Sequence, residues 1–292
     1  MGSDFQYGID QLNTGTTIAI TSGKIKGVLN ETAIKKIKAS QQNVQQIVNK
    51  NKTVYGINTG FGILSNTPIS KEDTATLQYK ILQSHSVGVG DPIPVEVAKI
   101  MLITKVHALA QGFSGVQLST LERIIWHIEN DVIPVVPEKG SVGASGDLAP
   151  LAHLFLPLIG LGEVFYKGKR YKAQDALQQF GLSSIQLGPK EGLALINGTQ
   201  FILSFAVKAV QRMHNCLEAA DIIGAMSLEA LTGTKAPFDE RLHELRPFPG
   251  NKLVAQRLRL LLNNSAIMQS HVDCGRVQDP YSLRCMPQVH GA

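Results

Sequence analysis

Residues Ile196-Asn-Gly-Thr-Gln-Phe-Ile-Leu-Ser-Phe-Ala-Val-Lys-Ala-Val210 open an apolar-periodic stretch that continues to about Leu231 and decides the fold. The stretch spans roughly thirty residues, nearly three times the average length of a globular helix. Helices this long bury their apolar faces by lying side by side. We therefore predict a mainly α protein built on a long-helix bundle. Asn197 stands at the start of the stretch, where its simplest role is an N-cap.

The chain before residue 190 is richer in turns and loops. Its predicted helices run from Asn30 to Val48, Ser70 to Gln83, Pro94 to Ala110 and Ser119 to Asn130, the last opened by a Ser119-Thr-Leu-Glu122 capping box. Ile133 to Val136 is a short apolar run, and Val164 to Tyr171 is a hairpin that turns at Lys167-Gly168. We expect a smaller, loop-rich N-terminal domain over 1–190, carrying short strands and the hairpin, and the start of a helical bundle domain over 191–292.

The composition is that of an ordinary globular protein. Of 292 residues, 43% are apolar and 17% are charged, and the net charge is +5. The basic residues are scattered, so we expect no nucleic-acid partner, whereas small anionic substrates are compatible with the charge. Three cysteines form no Cys-x-x-Cys pair, which favours a reducing, cytoplasmic location and predicts no zinc site. We expect no signal peptide, no membrane span and no catalytic metal.

The stretch whose residues could best carry a reaction is Gly143-Ala-Ser-Gly-Asp147, which lies within Gly140 to Leu156. If the chain turns sharply at Ser145, the amide nitrogen of Gly146 can approach the carbonyl carbon of Ala144, because Gly146 has no Cβ. Ring closure and loss of two waters would give an imidazolone with an exocyclic methylene, an electrophile that no ordinary side chain supplies. The simpler alternative is a loop that ends at a helix N-terminus.

Other glycine motifs fit this sequence poorly. The nucleophile elbow Gly-x-Ser-x-Gly fails because its last position is Asp147, so a serine hydrolase is a remote alternative. The glycine spacing does not match a Rossmann fingerprint, and the glycine-rich loop after Tyr55 lacks the Gly-Lys-Ser/Thr ending of a P-loop. These failures exclude nucleotide binding by either motif.

Together, the motifs resemble those of the aromatic amino-acid ammonia-lyases. Five ordered stretches over nearly the whole chain carry the resemblance: Tyr55-Gly-Ile-Asn-Thr-Gly-Phe-Gly62, Gln83-Ser-His-Ser-Val-Gly-Val-Gly90, Gly140-Ser-Val-Gly-Ala-Ser-Gly-Asp-Leu-Ala-Pro-Leu-Ala-His153, Leu195-Ile-Asn-Gly-Thr-Gln200 and Gln278-Asp-Pro-Tyr-Ser-Leu-Arg-Cys-Met-Pro-Gln288. The resemblance implies removal of ammonia from an aromatic amino acid without a bound organic cofactor or metal. It also implies a mainly helical homotetramer in the full-length form.

The resemblance assigns a role to each candidate residue. Ala144, Ser145 and Gly146 would form the methylidene-imidazolone, and Tyr55 would act as the base. Arg284 would hold the substrate carboxylate, with Asn197 beside it near the substrate amine. The remaining assignments are Tyr281 and Gln278 as lining residues of the site, with Tyr281 counted among the catalytic groups, and His85 as a contact of the substrate ring.

The same resemblance bears on substrate and on chain length. The Ser84-His85 pair, Gln200 and the stretch from Gln278 favour L-histidine, with trans-urocanate as product, over L-tyrosine or L-phenylalanine. Family chains continue well beyond residue 292, so we expect a truncated chain that is inactive or poorly active alone. A non-catalytic truncated helical scaffold is the alternative from a different class.

Overall fold

The computed structural model describes residues 4–50, 53–54, 56–59, 69 and 71–292, with the side chains of 71–75 excepted. The chain divides into two compact units, Met1–Lys208 and Ala209–Ala292. The sequence places a domain boundary at residue 190, whereas this division falls inside the longest helix described.

The described secondary structure is dominated by helices, as predicted. The helices are α1 Thr14–Thr21, α2 Glu31–Asn49, α3 Lys71–His85, α4 Val95–Leu109, α5 Leu118–Glu129, α6 Leu148–Phe155, α7 Ala173–Gln179, α8 Glu191–Ile196, α9 Gln200–Ala230, α10 Glu240–Glu244, α11 Pro249–Leu261, α12 Ala266–Ser270, α13 Tyr281–Arg284 and α14 Met286–Gly291. The strands are β1 Phe5–Gln6, β2 Gly27–Val28, β3 Val89–Pro92, β4 Ile133–Pro134, β5 Pro137–Lys139, β6 Glu163–Tyr166 and β7 Lys169–Lys172. These short strands and long helices confirm the mainly α fold class.

Helix α4 occupies the centre of the first unit. Every residue from Val97 to Val106 is buried, including Lys99 and Lys105. A helix that is apolar on all sides must be surrounded by other elements, and α1, α5 and β4 pack against this one. The core around α4 also takes in side chains from α3, α6 and α8. This core supports the loop between β5 and α6, which carries the candidate chemistry.

The strands form small sheets at the edge of this core. Strand β1 pairs parallel with β2, β3 pairs antiparallel with β5, and β4, β6 and β7 form an antiparallel sheet in that order. The β6–β7 hairpin turns at Lys167 and Gly168, whose φ angles are 48° and 73°. Two consecutive positive φ angles are typical of the tight hairpin turn, so the predicted hairpin is confirmed.

The predicted start of α2 is confirmed, and the predicted start of α5 is wrong. Asn30 caps α2, and its side chain accepts from the amide of Ala33 at 2.8 Å. The predicted capping box at Ser119 is wrong, because α5 begins at Leu118 and Gln117 is its N-cap residue. Gln117 is held instead by Glu191, whose carboxylate accepts from its main-chain amide and from its side-chain amide, each at 2.7 Å.

The second unit packs the C-terminal part of α9 against α11 and its neighbours. Its core contains Ala225, Leu228, Phe238, Val254, Ala255, Leu258, Leu262, Met268, Leu283 and Met286. Helix α9 has 31 residues, which confirms the predicted long helix. Along its length it exposes large apolar side chains, namely Ile202, Leu203, Phe205, Val210, Met213, Leu217, Ile222, Ile223 and Met226. In the described part of the chain no helix is both long and apolar enough to cross a membrane.

Candidate active site

The loop between β5 and α6 turns sharply at Ser145. Ala144 and Ser145 are exposed, and Gly146 is partly buried. Isolated bridges pair Gly146 with Gly143 and Ala144, and the Gly146 amide donates to the Gly143 carbonyl at 3.4 Å. Gly143 and Gly146 have φ angles of 73° and 89°, which L residues with a side chain rarely adopt. The tripeptide therefore lies in a tight, glycine-dependent turn at the surface of the first unit.

A second glycine presses on this turn from the segment between α8 and α9. Gly146 and Gly198 form a parallel bridge, and the Asp147 amide donates to the Gly198 carbonyl at 2.7 Å. A Cβ added at Gly146 would lie 2.3 Å from the Gly198 oxygen, much closer than any real contact. Gly146 is thus required twice, for its positive φ and for the close approach of Gly198.

Asp147 connects the loop to the start of α9. Its side chain is fully buried and accepts from the Ser141 hydroxyl at 2.7 Å and from the Ile202 amide at 3.1 Å. Ile202 lies in the first turn of α9, where amides lack partners within the helix. Asp147 is the N-cap residue of its own helix α6, but its carboxylate makes no capping bond there. Its negative charge instead stabilises the N-terminus of α9.

Lys105 reaches the same region from the buried helix α4. Its side-chain nitrogen donates to the main-chain carbonyl of Asn197 at 2.7 Å. Burial lowers the pKa of Lys105 to about 7, because the charged ammonium is desolvated there. A lysine at this place was not singled out from the sequence, since lysines are normally surface residues.

The structure places Asn197 differently from the N-cap reading. Asn197 is the C-cap residue of α8, with φ −89° and ψ 119°, and α9 begins only at Gln200. The N-cap interpretation is therefore wrong. Its side chain is exposed, and the Gly198 carbonyl that follows it contacts the loop. Asn197 therefore lies beside the Ala144–Gly146 turn.

His85 ends helix α3 close to the loop. Its ring Nδ1 lies 2.9 Å from the Ile81 carbonyl, and donation to that oxygen leaves Nε2 as the acceptor nitrogen. Three residues later, the Gly88 amide donates to Nε2 of His153 in α6 at 3.0 Å. A Cβ added at Gly140 would lie 3.0 Å from Cα of Gly88. The segment after His85 therefore lies against the start of the loop, at Gly140, and bonds to helix α6, which follows the loop.

Tyr55, the expected base, lies outside the described residues. Its neighbour Gly56 is described, with a φ of 76°, and a Cβ added there would lie 2.4 Å from a methyl carbon of Leu193. Leu193 belongs to α8, the helix whose C-cap residue is Asn197. The chain next to Tyr55 is thus close to the helix that leads to Asn197.

The three C-terminal candidates come together within the second unit. The Arg284 guanidinium carbon lies 4.0 Å from the centre of the Tyr281 ring. With its amide oxygen facing Arg284, Gln278 accepts from Nε at 2.9 Å and from Nη1 at 3.0 Å. Gln278 and Arg284 also line a cavity of about 570 Å³ within this unit. Tyr281 and Gln278 thus hold the guanidinium of the expected carboxylate-binding residue.

Over the described ranges, no group of three or more His, Cys, Asp or Glu side chains is placed to hold a metal ion. The loop itself fits the imidazolone, because Gly146 tolerates no side chain and Ser145 is exposed at the apex of the turn. Sequence reasoning found this tripeptide but missed Lys105 and the hydrogen bonds that the Asp147 carboxylate accepts from Ser141 and Ile202.

The fold and this loop point to one class of proteins, the aromatic amino acid lyases. Residues 12–292 match the sequence model of the aromatic amino acid lyases, and the chain belongs to that family. Among individual relatives, it is 45% identical over 283 residues to the histidine ammonia-lyase of Myxococcus xanthus (strain DK1622). That match covers 97% of this chain and 56% of the relative, so the chain spans about half the length of the curated relatives it matches.

Solved structures give the same result at the level of the fold. The chain superposes on histidine ammonia-lyase from Trypanosoma cruzi with a TM-score of 0.86 and 38% identity, over 99% of this chain and 54% of that one. It superposes on tyrosine aminomutase from Streptomyces globisporus with a TM-score of 0.89 and 29% identity, over 99% of this chain and 58% of that one. The fold is therefore shared by proteins named for different substrates.

Proposed function

We propose that the whole protein is an ammonia-lyase that converts L-histidine to trans-urocanate and ammonia, the first step of histidine degradation. The observation that carries the proposal is the tight Ala144–Ser145–Gly146 turn, pressed by Gly198 at a glycine that accepts no side chain. The relatives named histidine ammonia-lyase support the choice of substrate.

The proposed electrophile forms from the chain itself, with atoms and electrons in balance. The Gly146 nitrogen bonds to the Ala144 carbonyl carbon, and the Ala144 oxygen leaves as water with the amide protons of Gly146 and Ser145. The Ser145 hydroxyl then leaves as a second water with the Ser145 α-proton. No oxidant or metal is consumed. The product group supplies a carbon that accepts electrons from the substrate, a property absent from ordinary side chains.

The other candidate residues supply binding and proton transfer. Arg284 pairs with the substrate carboxylate, and its planar donor edge suits two parallel hydrogen bonds. Asn197 lies beside the amine, and His85 contacts the imidazole of the substrate. Tyr55 takes the β-proton, which must be removed as the C–N bond breaks. Gln278 and Tyr281 fix the guanidinium so that the substrate is held in one orientation.

The assembly of the whole protein is part of the proposal. We infer a homotetramer, which the apolar side chains exposed along α9 support, because contiguous exposed apolar surface marks interaction sites.

Activity and mass measurements test the function together. L-histidine should give urocanate and ammonia in a fully assembled enzyme, and Ser145→Ala should abolish product, since no methylene can form without the Ser145 oxygen. Coumarate from L-tyrosine at an equal or greater rate would instead favour a tyrosine enzyme. If the wild type shows no mass deficit and Ser145→Ala has the same activity as the wild type, the non-catalytic scaffold is favoured.

A further inference from the structure

We propose that Lys105 is a positioning residue for ring closure: it fixes the Asn197–Gly198 peptide against Gly146 and so holds Ala144–Ser145–Gly146 in the reactive turn. The inference rests on the proposed function and deepens it. It assigns a task to a side chain that touches neither the reacting atoms nor the substrate.

The environment of Lys105 indicates that the residue is kept for more than packing. Its exposed fraction is 1%, and within the described residues no carboxylate lies within salt-bridge distance of it. Burying an amine without a counter-charge is costly, and an apolar side chain would fill the position more favourably. Burial keeps the pKa of Lys105 near 7, so the neutral amine, which still donates, is readily populated at neutral pH.

The contacts of Lys105 lead directly to the reactive turn. The Asn197 carbonyl that accepts from Lys105 and the Gly198 amide belong to one peptide unit, which is planar and rigid. The carbonyl of the next peptide, on Gly198, accepts from the Asp147 amide at 2.7 Å. Fixing the Asn197 carbonyl therefore fixes the position of Gly198 against Gly146.

Ring closure is sensitive to this position. The Gly146 nitrogen must approach the Ala144 carbonyl carbon, and in the structure that nitrogen still donates weakly to Gly143 at 3.4 Å. Gly198 limits how Gly146 can move away, because its oxygen occupies the place of a side chain on Gly146. Without Lys105, the Asn197–Gly198 peptide can rotate about the bonds on either side of it. Gly198 then no longer holds Gly146 in place. Misplacement on this scale slows intramolecular reactions strongly.

The test measures the ring by mass and does not depend on activity. The chain is produced as wild type, Lys105→Met and Lys99→Met, and the peptide from Gly140 to Lys167 is weighed after tryptic digestion at successive times. Lys99 is the matched control, because it lies buried in the same helix but pairs with Asp131 at 2.5 Å. We expect the deficit of two waters to appear about tenfold or more slowly in Lys105→Met, and at the wild-type rate in Lys99→Met.

Thermal unfolding separates positioning from a structural role. Lys105→Met should stay folded and melt close to the wild-type temperature, because removal of a buried amine that has no counter-charge offsets the loss of its hydrogen bond to the Asn197 carbonyl. Lys105→Arg, which keeps a donor, should recover part of the rate. Asn197→Ala should leave ring formation unchanged, since Lys105 donates to the main chain, while substrate turnover by the assembled enzyme falls.

Each outcome decides between distinct conclusions. A wild-type rate in Lys105→Met overturns the role of Lys105. A wild-type chain without the two-water deficit contradicts the proposed electrophile instead. If Lys105→Met does not fold, Lys105→Gln takes its place, since its amide falls about one bond short of the carbonyl. Failure of both variants to fold would mark Lys105 as structural and overturn the proposal.

Discussion

Replacing His127 by Asn should remove a specific part of the acid sensitivity of the first unit. The exposed fraction of His127 is 1%, and its Nδ1 donates to the Val132 carbonyl at 2.7 Å. Burial is the main cause that lowers the pKa of His127 from its ordinary 6.5 to about 4. The side-chain amide of Asn occupies the place of Nδ1 and can keep that hydrogen bond, but it does not titrate.

The sign and size of the effect follow from proton linkage. Between pH 6.5 and 4 the unfolded chain binds a proton at His127 that the folded chain does not, so stability is lost as the pH falls. A shift of one pKa unit corresponds to about 1.4 kcal/mol, so the full loss is about 3 kcal/mol. Between pH 7.5 and 5 the loss is about 2 kcal/mol. The smaller Asn side chain adds a cavity cost that does not depend on pH.

The measurement is urea unfolding at several pH values, followed by fluorescence. Trp126 is the one tryptophan of the sequence, and its ring lies 5.0 Å from that of Phe180, so its emission reports unfolding in the first unit. The difference in unfolding free energy between wild type and His127→Asn should shift by about 2 kcal/mol in favour of the variant between pH 7.5 and 5. A difference that stays constant over this range would refute the buried neutral histidine.

Three further substitutions test separate parts of the structure. Gly146→Ala should destabilise the fold by about 1–3 kcal/mol, because its Cβ would meet Gly198. The variant should also show no two-water deficit by mass. A stable variant that shows the deficit would contradict the role of the Gly146–Gly198 contact. Glu191→Gln should cost about 1–3 kcal/mol in thermal unfolding, since its new amide group would face the donors of Gln117; an unchanged melting temperature opposes this. Arg284→Lys should raise KM for L-histidine about tenfold in the assembled enzyme, more than it lowers kcat, because two parallel bonds become one; unchanged KM would remove Arg284 from carboxylate binding.

Local patterns in the sequence were enough to predict elements that depend on neighbouring residues. The Asn30 cap, the hairpin at Lys167-Gly168 and the long helix to Ala230 are examples, since each is set by side chains within a few positions. The start of α5 was mispredicted because Gln117 bonds to Glu191, which lies 74 residues away in the sequence. No local pattern contains such a contact.

The candidate site likewise contains residues that the sequence predicts and residues that it does not. The Ala144–Ser145–Gly146 tripeptide could be found from its residues, because the chemistry requires small side chains at adjacent positions. Lys105 could not, because its function depends on a carbonyl 92 residues later. One signal was present in the sequence: Lys105 interrupts an otherwise apolar helix, and a charged residue in a fully buried helix needs an explanation.

The contact between Gly146 and Gly198 also fixes an order of events during biosynthesis. The turn is held in place by Gly198, which lies more than fifty positions downstream, and by Lys105, which lies upstream. A nascent chain that has emerged only as far as Ser145 therefore lacks the framework for ring closure. Under the proposed function, the electrophile appears only after the first unit has folded. Folding would thus act as the safeguard that keeps a reactive group out of the unfolded polypeptide.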